Sequence, residues 1–68
     1  MLQKRSFSLS RHRTSVALEP EFWAVLQAEA GKTGRSLAAL VAEIDAGRGL
    51  RPLASALRLF ALKAGQNS

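Results

Sequence analysis

Arg13-Thr14-Ser15-Val16-Ala17-Leu18, running on into Glu19-Pro20-Glu21-Phe22-Trp23, is the stretch on which the fold turns. β-Branched Thr14 and Val16 favour an extended backbone. Alternation then sorts the side chains: Thr14, Val16 and Leu18 suit a core, while Arg13, Ser15 and Ala17 point the other way. Pro20 fits the first turn of a helix, where its missing N–H is not needed, and Glu19 and Glu21 complement the positive end of the helix dipole. A strand leading directly into a helix is the reading of residues 13–23.

Toward the C-terminus, a helix from about Pro20 to Ala30 carries Phe22, Trp23, Val25, Leu26 and Ala30 as an apolar stripe, with Gly31 as its expected stop. The aromatic pair is assigned to the core rather than to base stacking. Ser36 is a favoured N-cap ahead of Leu37, Leu40, Val41 and Ile44, spaced i, i+3, i+4 and i+7. That second helix is expected to end by Gly47 or Gly49, and Pro52 can open a third bearing Leu53, Leu57, Leu59, Phe60 and Leu62. Toward the N-terminus, residues 1–11 read as a basic arm. Phe7 and Leu9 alternate with Ser6, Ser8 and Ser10, so a short extra strand, folding back as a hairpin around Ser10, Arg11 and His12, stays open. Residues 12–64 form the domain, and 65–68 are expected to fray. The predicted fold class is mainly α, with one β-strand per chain.

A 68-residue domain hides only roughly 60% of the surface its unfolded chain exposes, so it is marginal alone. Without cysteines it has no disulfides, and its single histidine forms no zinc cluster, which leaves oligomerisation as the remedy. No apolar run is long enough for a membrane span or resembles a signal peptide, so a cytoplasmic protein without a membrane partner is expected. Charge carries more information. The net charge is +5, and residues 1–18 hold Lys4, Arg5, Arg11 and Arg13 but no acid, which places four of the five net charges there. Such clustering points to a polyanion, nucleic acid above all.

A single strand leaves a row of backbone N–H and C=O groups without a partner in its own chain. The same strand of a second copy, antiparallel across a two-fold axis, answers that need and merges two small cores. Were residues 14–16 helical, or satisfied wholly within their own monomer, the two-copy surface displaying Arg13 and Ser15 twice would not form.

Strand, Leu18, Pro-started helix, Gly34-Arg35-Ser36-Leu37 turn and amphipathic second helix together resemble the ribbon-helix-helix repressors of the Arc and MetJ kind. The likeness is closer to small bacterial members with a His-Arg-Thr-Ser-Val-x-Leu ribbon and a Phe-Trp helix start, here His12 to Val16, Leu18, Phe22 and Trp23. Glu43-Ile44-Asp45 and Ala56-Leu57-Arg58 extend it over most of the chain. The resemblance implies an intertwined homodimer with a two-stranded antiparallel ribbon, plus the third helix, acting on double-stranded DNA as a transcriptional regulator. It implies base reading by Arg13, Ser15 and Ala17 in the major groove. Phosphates would fall to Lys4, Arg5 and Arg11 of the arm, and to Arg35, Ser36 and the N–H groups of Leu37 and Ala38 at a helix N-terminus. Ala17 departs from the polar residue common there and implies modest sequence selectivity.

No cofactor, metal site or catalytic residue is expected. Ser15, His12 and Asp45 lack a nucleophile elbow or pocket, so the chain does not read as an enzyme. A rival reading makes the dimer a protein-interaction module, docking a partner through the third helix as an antitoxin docks a toxin. A helix-turn-helix reader is disfavoured, because Ser36 to Ala46 carries Glu43 and Asp45 and no base after Arg35.

Overall fold

A computed structural model describes residues 1–66. Its elements run β1 (Gln3–Leu9), β2 (His12–Leu18), α1 (Pro20–Lys32), α2 (Leu37–Gly47) and α3 (Leu53–Gln66). α3 thus includes Gly65 and Gln66, while Asn67 and Ser68 of the tail expected to fray lie outside the described residues.

The one-strand expectation is corrected: β1 and β2 form an antiparallel hairpin within the chain, in register from Gln3↔Leu18 to Leu9↔His12. Two-residue hairpins favour a turn with positive φ at both central residues, and Ser10 (φ 49°) and Arg11 (φ 70°) take that conformation without glycine or asparagine. Burial of Phe7 and Leu9 offsets the strain: both lie in the core beside Val16 and Leu18. One hydrogen-bonding edge of β2 is therefore satisfied inside the monomer, contrary to the expectation that it waits for a second copy.

The register also decides which backbone groups remain. The pair that closes a two-residue hairpin is hydrogen-bonded, and pairs alternate from there. Leu9↔His12, Phe7↔Thr14, Arg5↔Val16 and Gln3↔Leu18 are the bonded pairs. Arg13, Ser15 and Ala17 consequently turn their N–H and C=O groups to the outer edge of β2, and Lys4, Ser6 and Ser8 turn theirs to the outer edge of β1.

Three helices cover one face of the hairpin, with α2 against β1 and α3 against β2. Leu18, Leu26, Leu40, Val41 and Leu57 are the largest fully buried side chains, so strand β2 and all three helices share one core. Trp23, Leu26 and Ala30 are buried along α1, and Phe22 and Val25 pack at its margin. Helix α1 runs past Gly31, the expected stop, to Lys32. Its end is a Schellman motif at Gly34 (φ +68°), where the Arg35 N–H donates to Ala30 O at 2.9 Å and the Gly34 N–H to Gly31 O at 3.2 Å. Gly34 supplies the left-handed residue the motif needs, and Gly31 does not.

Candidate nucleic-acid interface

Paired residues in a sheet share a face, so the register divides the hairpin cleanly. The inner face holds Phe7, Leu9, Val16 and Leu18 against the helices. The outer face holds Lys4, Ser6 and Ser8 from β1 opposite Ala17, Ser15 and Arg13 from β2. Nothing apolar on it is larger than Ala17, and neither strand contains an acid. All of these residues are exposed except Ala17, which is half-buried. Across its centre, Ser6 Oγ and Ser15 Oγ lie 3.1 Å apart, as expected of a pair whose backbones do not bond and whose side chains therefore approach closely. Arg11 stands exposed in the turn at the end of this face.

The residues assigned to DNA on sequence do not all converge. Arg13, Ser15 and Ala17 share the outer face with Lys4. Arg5 belongs to the inner face, where its guanidinium lies 5.3 Å from the centroid of the Trp23 ring in a cation–π contact. Arg35, in the loop between α1 and α2, donates to Thr33 Oγ1 at 3.0 Å and forms an ion pair with Glu43, so its charge is already matched within the chain. Ser36 caps α2 by accepting the Ala39 N–H at 3.1 Å. Leu37 and Ala38 occupy the first turn of that helix, whose leading N–H groups have no intrahelical acceptor. Ser6 and Ser8, which sequence reasoning did not assign to DNA, also lie on this outer face; their alternation with Phe7 and Leu9 is the signal that could have found them, and it becomes meaningful only with the hairpin.

The attachment of α3 is partly electrostatic. Arg58 Nε donates to Glu19 Oε1 at 3.1 Å, tying α3 to the junction between β2 and α1. A hydrogen bond from its own backbone, and then Arg58, hold the Glu19 carboxyl below its ordinary range. A depressed folded-state pKa gives stability that is present above the unfolded value and is lost as pH falls through the folded value. Acid titration followed by thermal melting should therefore show wild type losing its advantage over Glu19→Gln in that window; a gap unchanged down to the lowest pH would refute the linkage.

Beyond the hairpin, a shallow groove between α2 and α3 is lined by Ile44, Arg48, Arg51, Leu59, Phe60 and Lys63, among others. Among the described residues, no cluster of His, Cys, Asp and Glu could hold a metal ion, and no helix is long and apolar enough to cross a membrane.

The chain matches the family model described as the ribbon-helix-helix domain over residues 2–64. No curated protein and no solved structure gives a significant match. Proteins of the matched family are generally dimeric and bind DNA, include transcription regulators and antitoxins, and are typically non-enzymatic. Because the match spans both strands, α1, α2 and most of α3, the chain belongs to the ribbon-helix-helix domain family.

Proposed function

We propose that this protein is a homodimeric, DNA-binding transcriptional regulator. The outer edges of two β2 strands pair antiparallel across a two-fold axis, setting Arg13 and Ser15 of each copy side by side. The observation that carries the reading is the outer hairpin face, which bears Lys4 and Arg13, short hydroxyl side chains and no acid. Arginine can engage guanine O6 and N7 as a fork, and serine serves as an adaptable short donor or acceptor. Ala17 can touch no more than a thymine methyl, which keeps selectivity modest. Arg11 at the turn and the Leu37 and Ala38 N–H groups at the α2 N-terminus contact flanking phosphates. Arg35 joins them only by exchanging Glu43 for phosphate. Arg5 reaches them only by leaving Trp23.

The dimer carries a formal charge of +10, twice +5. If it neutralises on the order of six phosphates, raising salt fourfold should weaken duplex binding by about 10³-fold. Electrophoretic shift assays at two salt concentrations read this directly. Arg13→Ala should weaken binding and flatten its salt dependence. Failure of wild type to shift pooled genomic fragments at low salt ends the proposal.

A second reading, a dimer that docks a protein through α3, is favoured by the exposure of Leu59 and Leu62 on that helix. A stoichiometric protein partner together with indifference to added duplex would select it.

A further inference from the structure

The extra strand changes what can enter a groove. Pairing of two β2 strands at their outer edges gives a four-stranded sheet in the order β1, β2, β2 of the partner, β1 of the partner. Neighbouring strands lie roughly 4.8 Å apart, so the outermost backbones stand about 14 Å from each other. The major groove of B-DNA is about 12 Å wide and accepts a two-stranded ribbon. Only the central β2 pair fits inside. The β1 strands must ride over the groove walls, where the phosphates are.

Resting on the DNA reading above, we infer that β1 is a phosphate-binding rail, with Lys4, Ser6 and Ser8 as its ligands. Three observations support this. The register puts these three side chains on the same face as Arg13 and Ser15. Their positions in the non-bonded pairs aim their backbone N–H groups at the free outer edge of β1, so each serine offers an O–H on the face and an N–H at the rim. Finally, a sheet wider than its groove needs short side chains on the flanking strands to come close, and Ser6 and Ser8 are short while Lys4 can extend along the backbone. Ser6 already meets Ser15 across the strands, so its hydroxyl links the base-reading strand to the rail. The rail carries affinity and little sequence information, since phosphate contacts position a protein without reading bases.

Four variants, each confirmed as folded by circular dichroism and titrated with one duplex over a range of salt, test the rail. Lys4→Gln removes one cation per protomer and should make the slope of log affinity against log salt shallower by about 1.8, two lysines at about 0.9 each. Ser6→Lys should steepen it by about the same amount. Ala46→Lys adds an equal charge at an exposed position near the end of α2 and should leave the slope near that of wild type. Arg13→Ala reports on the β2 pair independently. If Arg13→Ala weakens binding while Lys4→Gln has no effect, or if Ser6→Lys and Ala46→Lys act alike, the rail is wrong and the central ribbon stands. Absence of duplex binding by wild type overturns both.

Discussion

Trp23→Ala should lower the stability of the fold by roughly 3–5 kcal/mol, the usual range for emptying a buried tryptophan site. A domain of 68 residues holds only about 3–10 kcal/mol in total, at roughly 0.05–0.15 kcal/mol per residue. The effect is large because Trp23 joins α1 to β1 in three ways. Its ring is buried and packs against Phe7 with centroids 5.8 Å apart. Nε1–H donates to the Gln3 carbonyl at 2.8 Å, and Arg5 covers the ring. Trp23→Phe separates these contributions: it keeps most of the apolar packing and loses the indole hydrogen bond, for about 1 kcal/mol plus the smaller ring's lost contacts. Urea denaturation followed by circular dichroism is the suitable measurement, since Trp23 is the only tryptophan. A Trp23→Ala midpoint close to that of wild type would show that β1 is held by something else.

The same residue marks what was legible in the sequence. Alternation over residues 13–18 sorted both faces of β2 as the structure has them, because one buried face imposes a period of two. The helical spacing of Leu37, Leu40, Val41 and Ile44 located α2, and Ser36 marked its start. The hairpin was visible only as an option, since Ser10 and Arg11 adopt positive φ without the Asn-Gly or Asp-Gly chemistry that normally announces such a turn. Gly31 is the stop that the sequence suggests for α1, and only the backbone bonds closing on Ala30 and Gly31 move it to Gly34. Charge was less legible than shape. Arg5 and Lys4 are neighbours in a basic arm, yet strand parity sends one toward Trp23 and the other to the outer face. Composition counts both as available to DNA. In α3, Leu57 is buried while Leu59 and Leu62 stay exposed, a split set by its packing on α1, α2 and β2 rather than by its own pattern.

Ser15→Pro should yield a folded monomer that has lost duplex affinity by about 100-fold or more, since two linked binding surfaces exceed one on that scale and the Ser15 hydroxyl is lost as well. Proline lacks an N–H, and its effect depends on where that N–H points. At position 15 it points away from β1, so the hairpin ladder survives while the bond offered to a second β2 disappears. At position 14 it points into the ladder with Phe7, so Thr14→Pro should damage the monomer instead. The contrast between adjacent positions isolates dimerisation from folding. Sedimentation at micromolar concentration should give wild type near 14.6 kDa, twice 7.3 kDa, and Ser15→Pro near 7.3 kDa with an unchanged far-ultraviolet spectrum. A Ser15→Pro dimer would mean that two copies meet elsewhere than at β2. A Ser15→Pro monomer that grips duplex as tightly as wild type would mean that one hairpin suffices, because the outer face is complete in a single chain and pairing would then add nothing to recognition.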